Sequence, residues 1–167
     1  MALTSEIRIS ATATQTASAD LGTPTFYAEL AKTFQWASGV TANSADLLFS
    51  DERTLAASAT EDLDLAGVLT DAFGATITMA EVVGVIVVAD AANTNNVVLG
   101  DATSPVPLFG GTNGTHAVKP GGVFVAIAPN ASGLFTVGAG STDDLKVANS
   151  SSGTSVTYKI MVFGRSA

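Results

Sequence analysis

VVGVIVVA, residues 82–89, is the most apolar run in the chain, and how it is read decides the fold. Asp90 ends it after eight residues, far short of the roughly 20 a membrane-spanning helix needs. Its β-branched content favours an extended backbone over a helix. The reading is a buried strand, apolar on both faces.

Other segments of the chain carry the same signal. SVTYKIMVF (155–163) alternates, with Val156, Tyr158, Ile160 and Val162 on one face and Thr157, Lys159, Met161 and Phe163 on the other. EIRISATAT (6–14) sets Ile7 and Ile9 against Arg8 and Ser10. GVFVAIAP (122–129) is apolar on both faces, as a strand packed on two sides would be. Turn-forming clusters separate such runs: TANS, DAANTNN, GGTNG, KPGG, PNASG, GAGSTDD and ANSSSG. Short strands punctuated this way point to a sandwich or barrel. The expected fold is all-β: a single β-sandwich, jelly-roll-like, over residues 21–167, with an extended N-terminal arm over 1–20. Strand order is not written in periodicity, so an immunoglobulin-like arrangement stays open. The arm is expected because its first strand is rich in Ala, Thr and Ser and poor in bulky apolar residues.

Two segments are harder to read. In FYAELAKTFQWA (26–37), Phe26, Leu30 and Phe34 fall at steps of four, as on a helix, and alternation is not clean; the neighbouring strands tip the reading to strand. LTDAFG (69–74) is expected to form one helical turn, with Thr70 or Asp71 capping and Gly74 ending it.

A chain of 167 residues is long enough for one domain with a real core. Hydrophobic residues make up 47% and charged residues 13%, which excludes a disordered chain or a charged coiled coil. The net charge of −8, with seven basic residues scattered singly from Arg8 to Arg165, argues against binding nucleic acid through its phosphates. There is no Cys, hence no disulfide framework and no thiolate zinc site. MALTSEIRIS lacks the basic-then-apolar pattern of a secretory signal, so synthesis without export is expected.

Catalytic signals are sparse. The sole histidine, His116, lies in the loop GGTNGTH, where a hydrogen-bonding role outweighs that of a general base. FGGTNG and GAGSTDD lack the Lys-Ser/Thr ending of a phosphate loop. EDLDLAG resembles the opening of a calcium loop, but Ala66 and Phe73 stand where two oxygen ligands are required. Alternation explains it better, with Leu63 and Leu65 inward and Asp62 and Asp64 toward water. DAANTNNVVLGD (90–101) is read as a hairpin-like connection, its Asn residues tolerating left-handed backbone, rather than as a calcium or sugar site. The densest aromatic group, Phe26, Tyr27, Phe34 and Trp36, is assigned first to core packing and second to a partner interface.

The strings DERTLAASATEDLDLAGVLTDAFGATITMAEVVGVIV, NTNNVVLGD, VKPGGVFVAIAPN and LKVANSSSGTSVTYKIMVFGR resemble small structural proteins of tailed bacteriophages, some of which are cement or decoration proteins of the capsid. The resemblance covers roughly residues 24 to 165. It implies a virion component on the capsid surface, made in the host cytoplasm, with no enzymatic activity and no cofactor. The implied partners are the major capsid protein and further copies of the chain, a trimer suiting threefold positions of a capsid; nucleic acid and membrane are not implied. The interface is expected at the arm and the aromatic group: Ile7, Arg8, Ile9, Phe26, Tyr27, Phe34 and Trp36. The alternative is a tail-fibre or spike-type host-recognition module, or a carbohydrate-binding sandwich.

Overall fold

The computed structural model describes residues 2–167. They form an all-β protein of three antiparallel sheets. β1 (Ser5–Thr16) and β2 (Thr25–Trp36) make a two-stranded ribbon. The other nine strands build a sandwich body: β3 (Leu47–Leu55), β4 (Thr60–Asp64), β5 (Glu81–Ala89), β6 (Val97–Gly100), β7 (Thr115–Val118), β8 (Val123–Ile127), the short β9 (Phe135–Thr136), β10 (Asp144–Asn149) and β11 (Val156–Arg165). One sheet has the order β3-β11-β5-β8, with β9 also pairing β5; the other has the order β4-β10-β6-β7.

Alternation explains which face of each strand is buried. Val156, Tyr158, Ile160 and Val162 of β11 and Val85, Val87 and Ala89 of β5 face Leu63, Leu145, Val147, Val97 and Leu99 of the opposite sheet, all of them buried in one cluster. VVGVIVVA is thus buried as its composition indicates, except at Val88 on its outer face, and is paired on both sides by β11 and β8. FYAELAKTFQWA is a strand over nearly its whole length.

Three expectations are corrected. GVFVAIAP is not packed on two sides: β8 is an edge strand, and Val123 and Val125 are exposed because no layer covers that part of its outer face. LTDAFG forms a tight turn instead of a helical one. The Asp71 carboxylate accepts the amides of Phe73 and Ala75, and Thr70 bridges Thr76. The connection after Asp90 is not a hairpin, since β5 and β6 belong to different sheets. Its asparagines serve through their side chains: the positive φ angles among non-glycine residues are at Asn43, Ser58, Asp101 and Asn113. Asn93 exchanges two hydrogen bonds of 2.8 Å with the backbone of Thr157, and Asn95 donates to the side chain of buried Asn149. Asn149 in turn donates to the carbonyls of Ala56 and Thr154. Side-chain amides here replace the ladder bonds that a crossover between sheets leaves unmade.

Candidate interaction surface

β1 and β2 pair without interruption from Ser5 opposite Trp36 to Thr16 opposite Thr25. Beyond that, Ala19 and Gly22 exchange backbone hydrogen bonds around the tip. At about 3.4 Å per residue, twelve-residue strands make a ribbon about 40 Å long. The 20/21 boundary expected between arm and body falls at the tip of this ribbon, so both of its strands lie N-terminal to the sandwich.

Pairing sorts the ribbon's side chains onto two faces. One carries Ile7, Ile9, Ala11 and Ala13 of β1 beside Phe34, Leu30, Ala28 and Phe26 of β2, with Lys32 as its single charge. The other carries Glu6, Arg8, Ser10, Thr12, Thr14 and Thr16 beside Gln35, Thr33, Ala31, Glu29, Tyr27 and Thr25. The ribbon is therefore amphipathic, and most of its apolar face is open: Phe26 is 65% and Leu30 62% exposed. An isolated hairpin is marginal in water. This one is anchored at its root.

The root sits on the outer face of the five-stranded sheet. Trp36 is only 2% exposed and meets Phe163 edge-on, with ring centroids 5.4 Å apart. Ile7, Ala45 and Val83 complete a second small core, flanked by Leu3, Phe34, Leu48, Ile86 and Ile127. The backbone makes this seat. A register shift leaves Val83 without a partner between the pairs Gly164–Val82 and Phe163–Gly84, a β-bulge. A Cβ on Gly84 would come within 2.9 Å of the Trp36 ring, so glycine leaves the space the indole fills. Trp36 Nε1 and Ser5 Oγ, on residues paired across the ribbon, are buried without hydrogen-bond partners.

The pairing also lays out that outer face in three rows. Ile127, Gly84, Phe163 and Leu48 form the row at the root. Next come Val125, Ile86, Met161 and Ser50, and then Val123, Val88, Lys159 and Glu52. In the outer two rows Val88, Val123, Val125 and Met161 are exposed, and a Lys159–Glu52 ion pair of 3.3 Å closes the far side. The apolar surface begun by the root thus continues uncovered toward β8.

The other candidate sites are accounted for by packing. His116 lies with Phe109 and Phe124 in an aromatic group, its ring 5.2 Å from that of Phe124. Leu63 and Leu65 are buried, while Asp64 accepts the Ala66 amide as a turn residue. Burial, then the neighbouring Asp143, Asp62 and Asp64, raise the pKa of Asp144. Among the described residues, no group of three His, Cys, Asp or Glu side chains is arranged to hold a metal ion. Tyr158 donates to Glu61 at 2.6 Å, and burial followed by that carboxylate pushes its pKa well above the ordinary tyrosine value. Arg165 is fully buried, bonded to Glu81 at 2.8 Å and to the carbonyls of Ser44, Ala131 and Asn130.

Of the seven residues assigned to an interface, five share the apolar face: Ile7, Phe34 and Trp36 at the root, Ile9 and Phe26 on the free length. Arg8 and Tyr27 lie on the opposite face, Arg8 paired with Glu6 at 2.6 Å. Leu30 and the exposed valines of β5 and β8 were not among the seven. The signal for Leu30 was in the even positions from Phe26 to Trp36, which are apolar apart from Lys32. Steps of four satisfy a period of two as well as one of 3.6, which hid it.

No protein-family model matches the sequence, and searches of curated proteins and of solved structures find no match.

Proposed function

We propose that this chain is a structural protein of a bacteriophage virion: a cement or decoration protein that binds the capsid surface and bridges neighbouring major capsid subunits, acting by attachment and not by catalysis. The observation that carries the reading is the ribbon, an amphipathic lever about 40 Å long whose apolar side is uncovered beyond its root. A lever of that length with its free end uncovered is long enough to span from one subunit to a neighbouring site. Exposed apolar surface of this extent marks an interaction site in a soluble chain.

The strand order supports the jelly-roll reading. Leaving aside β9, the eight body strands in chain order occupy the sheets as 1-8-3-6 and 2-7-4-5. Two Greek keys wound together give that alternation, an architecture used by viral capsid proteins among others. The resemblance of residues 24 to 165 to head-associated phage proteins points the same way.

The test uses a shortened ribbon in which residues 9–32 are replaced by Asn-Gly, joining Arg8 to its paired residue Thr33 through a two-residue turn. This variant keeps the root and the body. It is expected to fold and to co-sediment more weakly than the full chain with undecorated capsids. Undiminished binding refutes the proposal. Copy number distinguishes the tail-fibre alternative: a decoration protein is present at a number comparable to the major capsid protein, a tail component at far fewer.

A further inference from the structure

Resting on that reading and deepening it, we infer that the open apolar face of the ribbon docks on a second copy of this chain, against the uncovered outer two rows of its five-stranded sheet, so that the ribbon strengthens attachment to the capsid by linking neighbouring copies to one another. Both halves of this contact are in the chain itself. Phe26, Leu30 and Ile9 offer one apolar surface, and Val88, Val123, Val125 and Met161 offer the other. The two are already matched within a single molecule, because the root of the same ribbon face packs on the adjoining row of the same sheet face through Trp36 and Phe163. A neighbour's ribbon laid across the remaining rows would extend that small core. The ribbon cannot cover them in its own body, where those valines are exposed while its root is seated.

Charge favours this occupant. Arg8 and Lys32 nearly balance Glu6, Asp20 and Glu29 on the ribbon, so most of the −8 lies on the body. An almost neutral arm crosses between two acidic bodies with little repulsion. Area sets the stoichiometry. Nine pairs lie beyond the root, a free face about 30 Å long and about 10 Å wide. One contact then buries about 600 Å² counting both partners, below the roughly 1,000 Å² of a stable interface. Each copy must therefore both give an arm and receive one, by reciprocal exchange in a pair or by closure of a ring.

The experiment uses the purified full chain without capsids, so its failure and that of the virion reading are separable. Sedimentation equilibrium is expected to show an oligomer. Phe26→Asp with Leu30→Asp, on the ribbon, and Val123→Asp with Val125→Asp, on the sheet, should each weaken association at least about 100-fold, because each buries unpaired carboxylates. Tyr27→Asp, on the polar face, should leave it unchanged. Mixing the two defective forms should give a one-to-one association stronger than either form shows alone but weaker than that of the full chain, since one intact ribbon and one intact sheet face leave a single contact of the two. The absence of native cysteine allows a second readout that does not depend on those variants. Leu30→Cys copies mixed with Val125→Cys copies should form disulfide-linked dimers, and Tyr27→Cys copies in place of the former should not. A full chain that is monomeric at concentrations on the order of 100 µM, an oligomer indifferent to both double variants, or cross-linking no better than with Tyr27→Cys overturns the inference. If the monomer nevertheless decorates capsids, the virion reading stands without it.

Discussion

Replacing Trp36 by Ala should release the ribbon while leaving the sandwich folded. The indole is almost wholly buried, and truncating such a side chain costs about 3–5 kcal/mol. Part of that is offset, because the Nε1 donor is buried without a partner and its removal returns about 1–2 kcal/mol. The net cost is about 2–3 kcal/mol, roughly a hundredfold in the opening of the root. Among the described residues, only Ile7, Ala45, Val83 and Phe163 share the buried part of this small core, so the loss should fall there and spare the main one. Limited trypsin digestion reads the effect, since Arg8 and Lys32 lie in the ribbon and the next basic residue is Arg53, in β3. Cleavage after Lys32 should accelerate by about two orders of magnitude when local opening limits it, while the thermal midpoint of the body moves little. Trp36→Phe, which keeps a ring and removes the unpaired donor, should stay close to the wild type. If Trp36→Ala instead lowers the thermal midpoint by about 10 °C with no selective cleavage at Lys32, the two cores unfold as one and the separate-root description is wrong.

Arg165→Met should be far more damaging to the body. It leaves Glu81 and the carbonyls of Ser44, Ala131 and Asn130 without their donor, at a cost of about 3–5 kcal/mol, which a thermal melt should report as a drop on the order of 10 °C. For Asp144 the sign follows from its raised pKa. The folded protein holds this proton more tightly than the unfolded chain, so the group favours folding as pH falls through its folded pKa and opposes it above that value. Asp144→Asn should raise the urea midpoint at neutral pH, and the difference should vanish once pH falls below the ordinary value of 3.8. A difference that persists unchanged in acid would mean that charge is not its cause.

The body was legible where one physical constraint acts alone. SVTYKIMVF must place one face in the core, and period two says which; VVGVIVVA is too short for a membrane helix and too β-branched for a soluble one. Legibility failed where a neighbour decides the outcome. GVFVAIAP is apolar on both faces, but whether a layer covers its outer face depends on β8 lying at a sheet edge, which no local pattern encodes. The aromatic group 26–36 was identified while its division between a buried root and one open face was not, because placing Phe26 and Leu30 on the same face requires the pairing with β1. The seat of Trp36 was invisible for the same reason. Gly84 reads as a minor interruption of an apolar run until the indole is seen in the space it leaves. Asn93 and Asn95 were expected to turn the backbone, and their actual task, bonding backbone and side chains more than fifty residues away, has no local signature.

The position of β11 has a consequence for biosynthesis. It is the last of the described strands, yet it lies between β3 and β5 and is, among the described residues, the only partner β3 has. Until residues 156–165 have left the ribosome, the five-stranded sheet lacks its middle, and one edge of VVGVIVVA presents unpaired amides and carbonyls. Contacts of such sequence separation form slowly, and an apolar strand with an open edge templates aggregation. The nascent chain therefore passes through an interval in which its most buried segment is its most hazardous one. Holding that strand apart until the C-terminal strand arrives is work for a chaperone, and yield on overexpression should depend on chaperone supply more than on the stability of the finished protein.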